Sequence, residues 1–158
     1  MQKTMIAVVG AGEAGAALSK IAEEVGMLIA RGGALLVCGG LNGVMEAAAR
    51  GAKAGGGITV GILPRLDKAD ANPYIDIPIA TGFGEGRNVL IVRSADALIA
   101  VGGEYGTLSE IAFALKTGKP VIGIGSWDIK GVIKAEHPED AVNKAFAAIA
   151  HRSKDIDL

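Results

Sequence analysis

The stretch "AVGGEYGTLSEIAFAL" gathers residue types suited to gripping an anion. Gly102, Gly103 and Gly106 follow an apolar run, and Thr107 opens a helical one. Unpaired backbone N–H groups from Gly103 through Tyr105 and Gly106 to Thr107 would cradle a phosphate, with the Thr107 hydroxyl as a further donor. No Lys precedes the Thr, so this is not a Walker A loop. Glu110 has two readings. Thr107-x-x-Glu110 has the spacing of a capping box, in which both side chains bond the helix's own amides, and spacing alone favours it. The other reading puts Glu110 one helical turn inside the site, facing the ligand.

In "GFGEGRNVLIVRSADALIA", Arg87 and Asn88 fall at the start of another helix. The positive end of a helix dipole repels cations, so Arg87 is better explained by an anion nearby. That anion is a ligand phosphate or a protein carboxylate such as Glu85. Arg93, later on the same helix, reads as a surface or salt-bridge residue. Two further turns carry glycines: Gly10 and Gly12 in "GAGEAG", and Gly39, Gly40 and Gly43 in "CGGLNGVMEAAARGA". The first matches G-x-G-x-x-G, but a nicotinamide dinucleotide also needs an acidic residue roughly 20 residues on. The next strand ends "LLVCGG" with no acid, and Glu46 comes too late, inside the following helix. Gly10 to Gly15 are therefore read as one wall of a mononucleotide-sized pocket. Cys38 has neither histidine near it in sequence and reads as a small buried residue.

These turns need a frame. Short apolar runs ("TMIAVV", "ALLVC", "GITVGIL", "YIDIPIA", "ALIAV", "PVIGI") alternate with alanine-rich segments. Most of the runs do not alternate with polar residues, which suits strands covered on both faces. Helices are expected over 13–30, 43–54, 86–94 and 106–117, and after Pro138, where Ala141, Val142, Ala145, Phe146 and Ile149 make one apolar stripe. Pro78 marks "YIDIPIA" as an edge or bent strand. The reading is an α/β, Rossmann-like, doubly wound three-layer sandwich with a mostly parallel sheet of about six or seven strands. Ligands in such folds sit beyond the carboxyl ends of the strands.

At 158 residues the chain suits a single domain. A net charge of −1 and 4% aromatic residues argue against nucleic-acid binding through a basic or stacking face. One cysteine excludes an internal disulfide or a multi-cysteine metal site. No apolar run is long enough to span a bilayer and no signal-peptide pattern opens the chain, so a cytoplasmic location is expected.

"GRNVLIVRSADALIAVGGEYGTLSEIAFALKTGKPVIGI", with "CGGLNGVMEAAARGA" upstream, resembles the LOG-like (SLOG) superfamily of Rossmann-like proteins, which carry the old label "possible lysine decarboxylase". The resemblance runs from Met5 to about Ile124. It is nearest to the short bacterial branch related to molybdenum-cofactor carrier proteins. Phosphoribohydrolases of the superfamily carry P-G-G-x-G-T-x-x-E preceded by an Arg-Lys pair. Gly103, Gly106, Thr107 and Glu110 match that signature, and Arg87 matches the Arg. Gly102 replaces the Pro, Glu104 a Gly, and Asn88 the Lys.

The resemblance implies a phosphorylated small-molecule ligand, a molybdopterin-type compound or a nucleoside monophosphate, with no cofactor required for function. It implies either a carrier or an N-glycosidic hydrolase in which Arg87 and Glu110 are catalytic; a lysine decarboxylase is not expected. The helices of "NVLIV" and "IAFAL" are apolar on nearly every side. With the resemblance, this predicts a homodimer or a dimer-based tetramer.

Overall fold

The strands form where β-branched residues run together, and each expected run supplies one. In the computed structural model, which describes residues 1–156, the order is β1 (Met5–Gly10), α1 (Ala16–Arg31), β2 (Leu35–Cys38), α2 (Val44–Ala54), β3 (Thr59–Leu63), β4 (Ile77–Ala80), α3 (Arg87–Ser94), β5 (Ala97–Val101), α4 (Tyr105–Lys116), β6 (Val121–Ile124), β7 (Ile133–Lys134) and α5 (Pro138–Ile156). Short 3₁₀ turns at Lys68–Asp70 and Gly84–Gly86 precede β4 and α3.

The sheet has seven strands in the order β4-β3-β2-β1-β5-β6-β7, and every pairing is parallel. The expectation of a mostly parallel sheet thus resolves to a wholly parallel one among the described residues. β7 is two residues long, too short to leave a hydrophobic pattern in the sequence. "YIDIPIA" contributes only Ile77–Ala80, and Pro78 does lie in an edge strand.

Alternation along β1 divides the core. Ile6 and Val8 pack with α1, α2 and α5, while Ala7 and Val9 pack with α3 and α4. Helices therefore cover both faces, which is why the central strands are apolar throughout. In α1 the buried positions Ala22, Val25, Gly26 and Ile29 follow helical spacing. The stripe expected after Pro138 is also in place: Ala141, Val142 and Ala145 are buried and Phe146 and Ile149 pack beside them.

Helices α1 and α2 meet backbone to backbone. A Cβ on Gly26 would lie 1.9 Å from the Ala48 carbonyl oxygen, and one on Gly51 1.8 Å from that of Glu23. Both glycines sit inside helices, where alanine is intrinsically better by about 1 kcal/mol. The close approach overrides that preference. Gly51→Ala is expected to destabilise the protein by about 2 kcal/mol in urea unfolding, because overpacking outweighs the propensity gain.

Candidate functional site

The strand order reverses between β1 and β5, so the turns after these strands diverge and leave a crevice. A cleft of about 460 Å³ opens there, a size suited to a small organic ligand. The β1–α1 turn, the β2–α2 turn and the N-terminal ends of α3 and α4 all contribute to it.

The β5–α4 turn supplies the donors. The first helical bond of α4 runs from the Leu108 N–H to the Glu104 carbonyl, which leaves the N–H groups of Tyr105, Gly106 and Thr107 without a partner among the described residues. Gly106 and Thr107 line the cleft. No capping box forms. The helix starts at Tyr105, its cap position is Glu104, and neither Thr107 nor Glu110 makes a side-chain hydrogen bond among the described residues. Helix start and box are out of phase: Thr107 already lies within the first turn. Its side chain is buried against Gly103, where a Cβ would come within 2.5 Å of it and where φ is +108°.

Glu110 is only 7% exposed and lines the cleft. Burial pushes its carboxyl up to about pH 7, and the Arg87 guanidinium pulls the other way. Arg87 lines the cleft too, and its Nε is buried with no hydrogen-bond partner. Burial lowers its pKa, while the Glu110 charge opposes that change. The two groups influence each other yet form no ion pair at contact distance among the described residues. Arg87 Nη1 donates to the Asn88 side-chain oxygen, which holds the guanidinium at the start of α3. The guanidinium also lies against Gly39: a Cβ there would be 2.7 Å from Nη2.

Gly10, Gly12, Gly39, Arg87, Asn88, Gly106, Thr107 and Glu110 thus converge on one cleft. Gly40, Gly43, Gly102, Gly103 and Tyr105 do not line it. Gly40 sits under Leu63, and its carbonyl takes the Asn72 side chain. Gly43 (φ +68°) lets the β2–α2 turn approach Ala11 and Gly12. Gly102 is bonded to β6 through the Ile124 carbonyl. Tyr105 turns outward, 81% exposed, beside the Trp127 ring. Gly12 and Gly106 differ from the other glycines of the cleft: no atom lies within 4 Å of where their Cβ would stand.

Glu85, the carboxylate weighed as a partner for Arg87, lines the cleft at its exposed rim; sequence reasoning missed the apolar wall made by Leu41, Met45, Pro64 and Ile91, and the exposed rim carboxylate Glu13. Their residue types carry no signal without the fold. Glu104 joins them at the exposed rim. Cys38 is buried, as expected, and burial pushes its thiol up to about 11, which leaves it unreactive. Arg93 forms no salt bridge among the described residues; its guanidinium lies 5.4 Å from the Phe113 ring centroid.

The model of the SLOG cluster4 family matches residues 3–152. The chain belongs to the SLOG cluster4 family. An uncharacterized protein of Archaeoglobus fulgidus is 54% identical over 94% of this chain and 98% of its own. More distantly, a cytokinin riboside 5′-monophosphate phosphoribohydrolase of Mycobacterium tuberculosis is 35% identical over 71% of this chain and 65% of that protein. Among solved structures, the molybdenum cofactor binding protein of Rippkaea orientalis superposes with a TM-score of 0.89 at 41% identity, covering 94% of this chain and 99% of that one. The molybdenum cofactor carrier protein of Chlamydomonas reinhardtii gives 0.87 at 34%, with 94% and 99% covered. This SLOG cluster4 chain therefore shares both the fold and nearly the full extent of these two proteins. No described helix is long and apolar enough to cross a membrane.

The Glu110 environment has a measurable consequence. A carboxyl whose pKa is raised on folding favours the native state while protonated in both states, below about pH 4.5. That advantage is lost as pH rises through about 7. Glu110→Gln keeps the neutral form at all pH values. It is expected to be more stable than the parent protein above pH 7, by on the order of 2–3 kcal/mol, and equal to it near pH 4. Denaturant melts across that range measure the difference.

Proposed function

We propose that this SLOG cluster4 protein binds a phosphorylated, ring-bearing small molecule of the molybdenum-cofactor type in the cleft and carries it without turning it over. The observation that carries the reading is the buried, unpartnered Arg87 Nε in the same cleft as the free amides of α4. A guanidinium and helix-start N–H groups together suit a phosphate. The apolar wall of Leu41, Met45, Pro64 and Ile91 suits a planar ring. The solved molybdenum cofactor binding protein and carrier protein support the same choice of ligand.

Oxidation of the protein purified from its own source should release a fluorescent pterin. A preparation that yields none, and that fails to take up added cofactor, would overturn the carrier reading. Gly106→Ala supplies a second check. Its Cβ meets open space, so stability should hold or improve, while the methyl group crowds the amide donors and weakens ligand binding by about tenfold.

The buried Glu110 carboxyl favours a second reading, cleavage of the N-glycosidic bond of a nucleoside 5′-monophosphate. Glu110 would stabilise an oxocarbenium-like transition state and orient water, and Arg87 would hold the phosphate or the departing base. Because the carboxylate form is required, the rate should rise with pH through about 7. Adenine release from AMP that disappears in Glu110→Gln would favour this hydrolase over the carrier. AMP that binds and is recovered intact would rule it out.

We also assign the protein a homodimeric state, or a tetramer built on that dimer, with α3 and α4 at the contact. Val89 and Ala112 are exposed, and Leu90, Phe113 and Leu115 are half-buried on these helices. Light scattering should give at least twice the mass of one chain, and a monomer would contradict it.

A further inference from the structure

The β5–α4 turn is held from behind. The Gly102 N–H donates to the Ile124 carbonyl at 3.0 Å. The Ser126 hydroxyl donates to the Gly102 carbonyl at 2.6 Å, and Trp127 Nε1–H donates to the Glu104 carbonyl at 3.1 Å. Neither Ser126 nor Trp127 lines the ligand cleft; both border a separate cavity of about 260 Å³ with Gly125, Asp128 and Lys134. The Trp127 ring packs against the core beneath α4 and stands 6.0 Å from the Tyr105 ring, centroid to centroid.

A trans peptide is planar, so its C=O and N–H point in opposite directions. Anchoring the Gly102 carbonyl on Ser126 fixes where the Gly103 N–H points. Anchoring the Glu104 carbonyl on Trp127 does the same for the Tyr105 N–H, and that carbonyl also takes the first helical bond from Leu108. Gly103 lies between the two anchors at φ +108°, a region where glycine rotates freely. Without them, the turn would be free to re-form, and the start of α4 that carries the Gly106 and Thr107 amides would no longer be fixed.

We infer that Ser126 and Trp127 are positioning residues that hold the carbonyls of the β5–α4 turn on the β6 side and so fix the start of α4, whose free Gly106 and Thr107 N–H groups line the cleft. This rests on the anion-binding reading of the cleft. Ser126 carries the larger share, because the Gly102 carbonyl has no helical bond of its own to orient it.

The test compares Ser126→Ala, Ser126→Thr and Trp127→Phe with the parent protein. Trp127→Phe keeps a ring beside Tyr105 and removes only the donor. Amide NMR on each protein should show the Gly103, Tyr105 and Gly106 resonances shifted and exchanging faster in Ser126→Ala, less so in Trp127→Phe, and restored in Ser126→Thr. Equilibrium dialysis should show AMP affinity falling by about five- to tenfold in Ser126→Ala, with adenosine affinity unchanged. Amides that stay in place in both Ser126→Ala and Trp127→Phe overturn the inference, as does an equal loss for AMP and adenosine. A parent protein that binds neither AMP nor inorganic phosphate defeats the anion site itself. The amide spectra then still decide whether the two residues orient the turn.

Discussion

A guanidinium held partly out of water without a full set of partners is costly, and the site is organised around that cost. Arg87 is placed by the start of α3, braced by the Asn88 oxygen and pressed against the bare Cα of Gly39. Across the cleft stands Glu110, itself buried and held toward its neutral form. Removing such charges from water costs several kcal/mol per ion unless other groups compensate. Here the compensation is incomplete among the described residues, since Arg87 Nε has no partner. On the proposed reading, an anion from solution would complete that compensation.

The charge pattern narrows that anion. Arg87 Nε and Thr107 are buried in the cleft, while Glu13, Glu85 and Glu104 stand on its exposed rim. Rim carboxylates are screened by water and salt, whereas buried groups are screened far less. A phosphate seated beside Arg87 and Thr107 would therefore feel them more than the rim. A ligand with several phosphates would have to place some of them among the rim carboxylates. This polarity suits a monophosphate with an uncharged ring against the apolar wall, in either a carrier or a hydrolase. The two differ in what Glu110 does after binding, not in how the ligand is held.

The glycines divide by physical role. Gly26 and Gly51 let α1 and α2 touch through their backbones, and Gly10 and Gly43 let neighbouring turns interlock: a Cβ on Gly10 would lie 2.7 Å from Val44 Cβ and from the Val101 oxygen. Gly39 yields space to the guanidinium, and Gly103 yields space to Thr107. Of the glycines that line the cleft, only Gly12 and Gly106 leave room that a ligand could take. A glycine-rich signature therefore marks a crowded junction of turns first and a ligand contact second.

Much of this was legible in the chain itself. Uninterrupted apolar runs between alanine-rich segments point to a parallel sheet with helices on both faces, because its central strands are covered on both sides. Arg87 at the repelling end of a helix dipole and the donor-rich β5–α4 turn pointed, without coordinates, to residues that share one cleft. Spacing could not decide whether Glu110 capped its helix or faced the cleft. That depended on where α4 begins, and the helix starts at Tyr105, two residues ahead of the Thr107 that a capping box would need outside it. Nor could the sequence reveal that Leu41, Met45 and Pro64 share a wall, or that Glu13 and Glu85 share a rim with Glu104. These residues come from separate turns, and only the crossing of the strand order between β1 and β5 brings them to the same crevice.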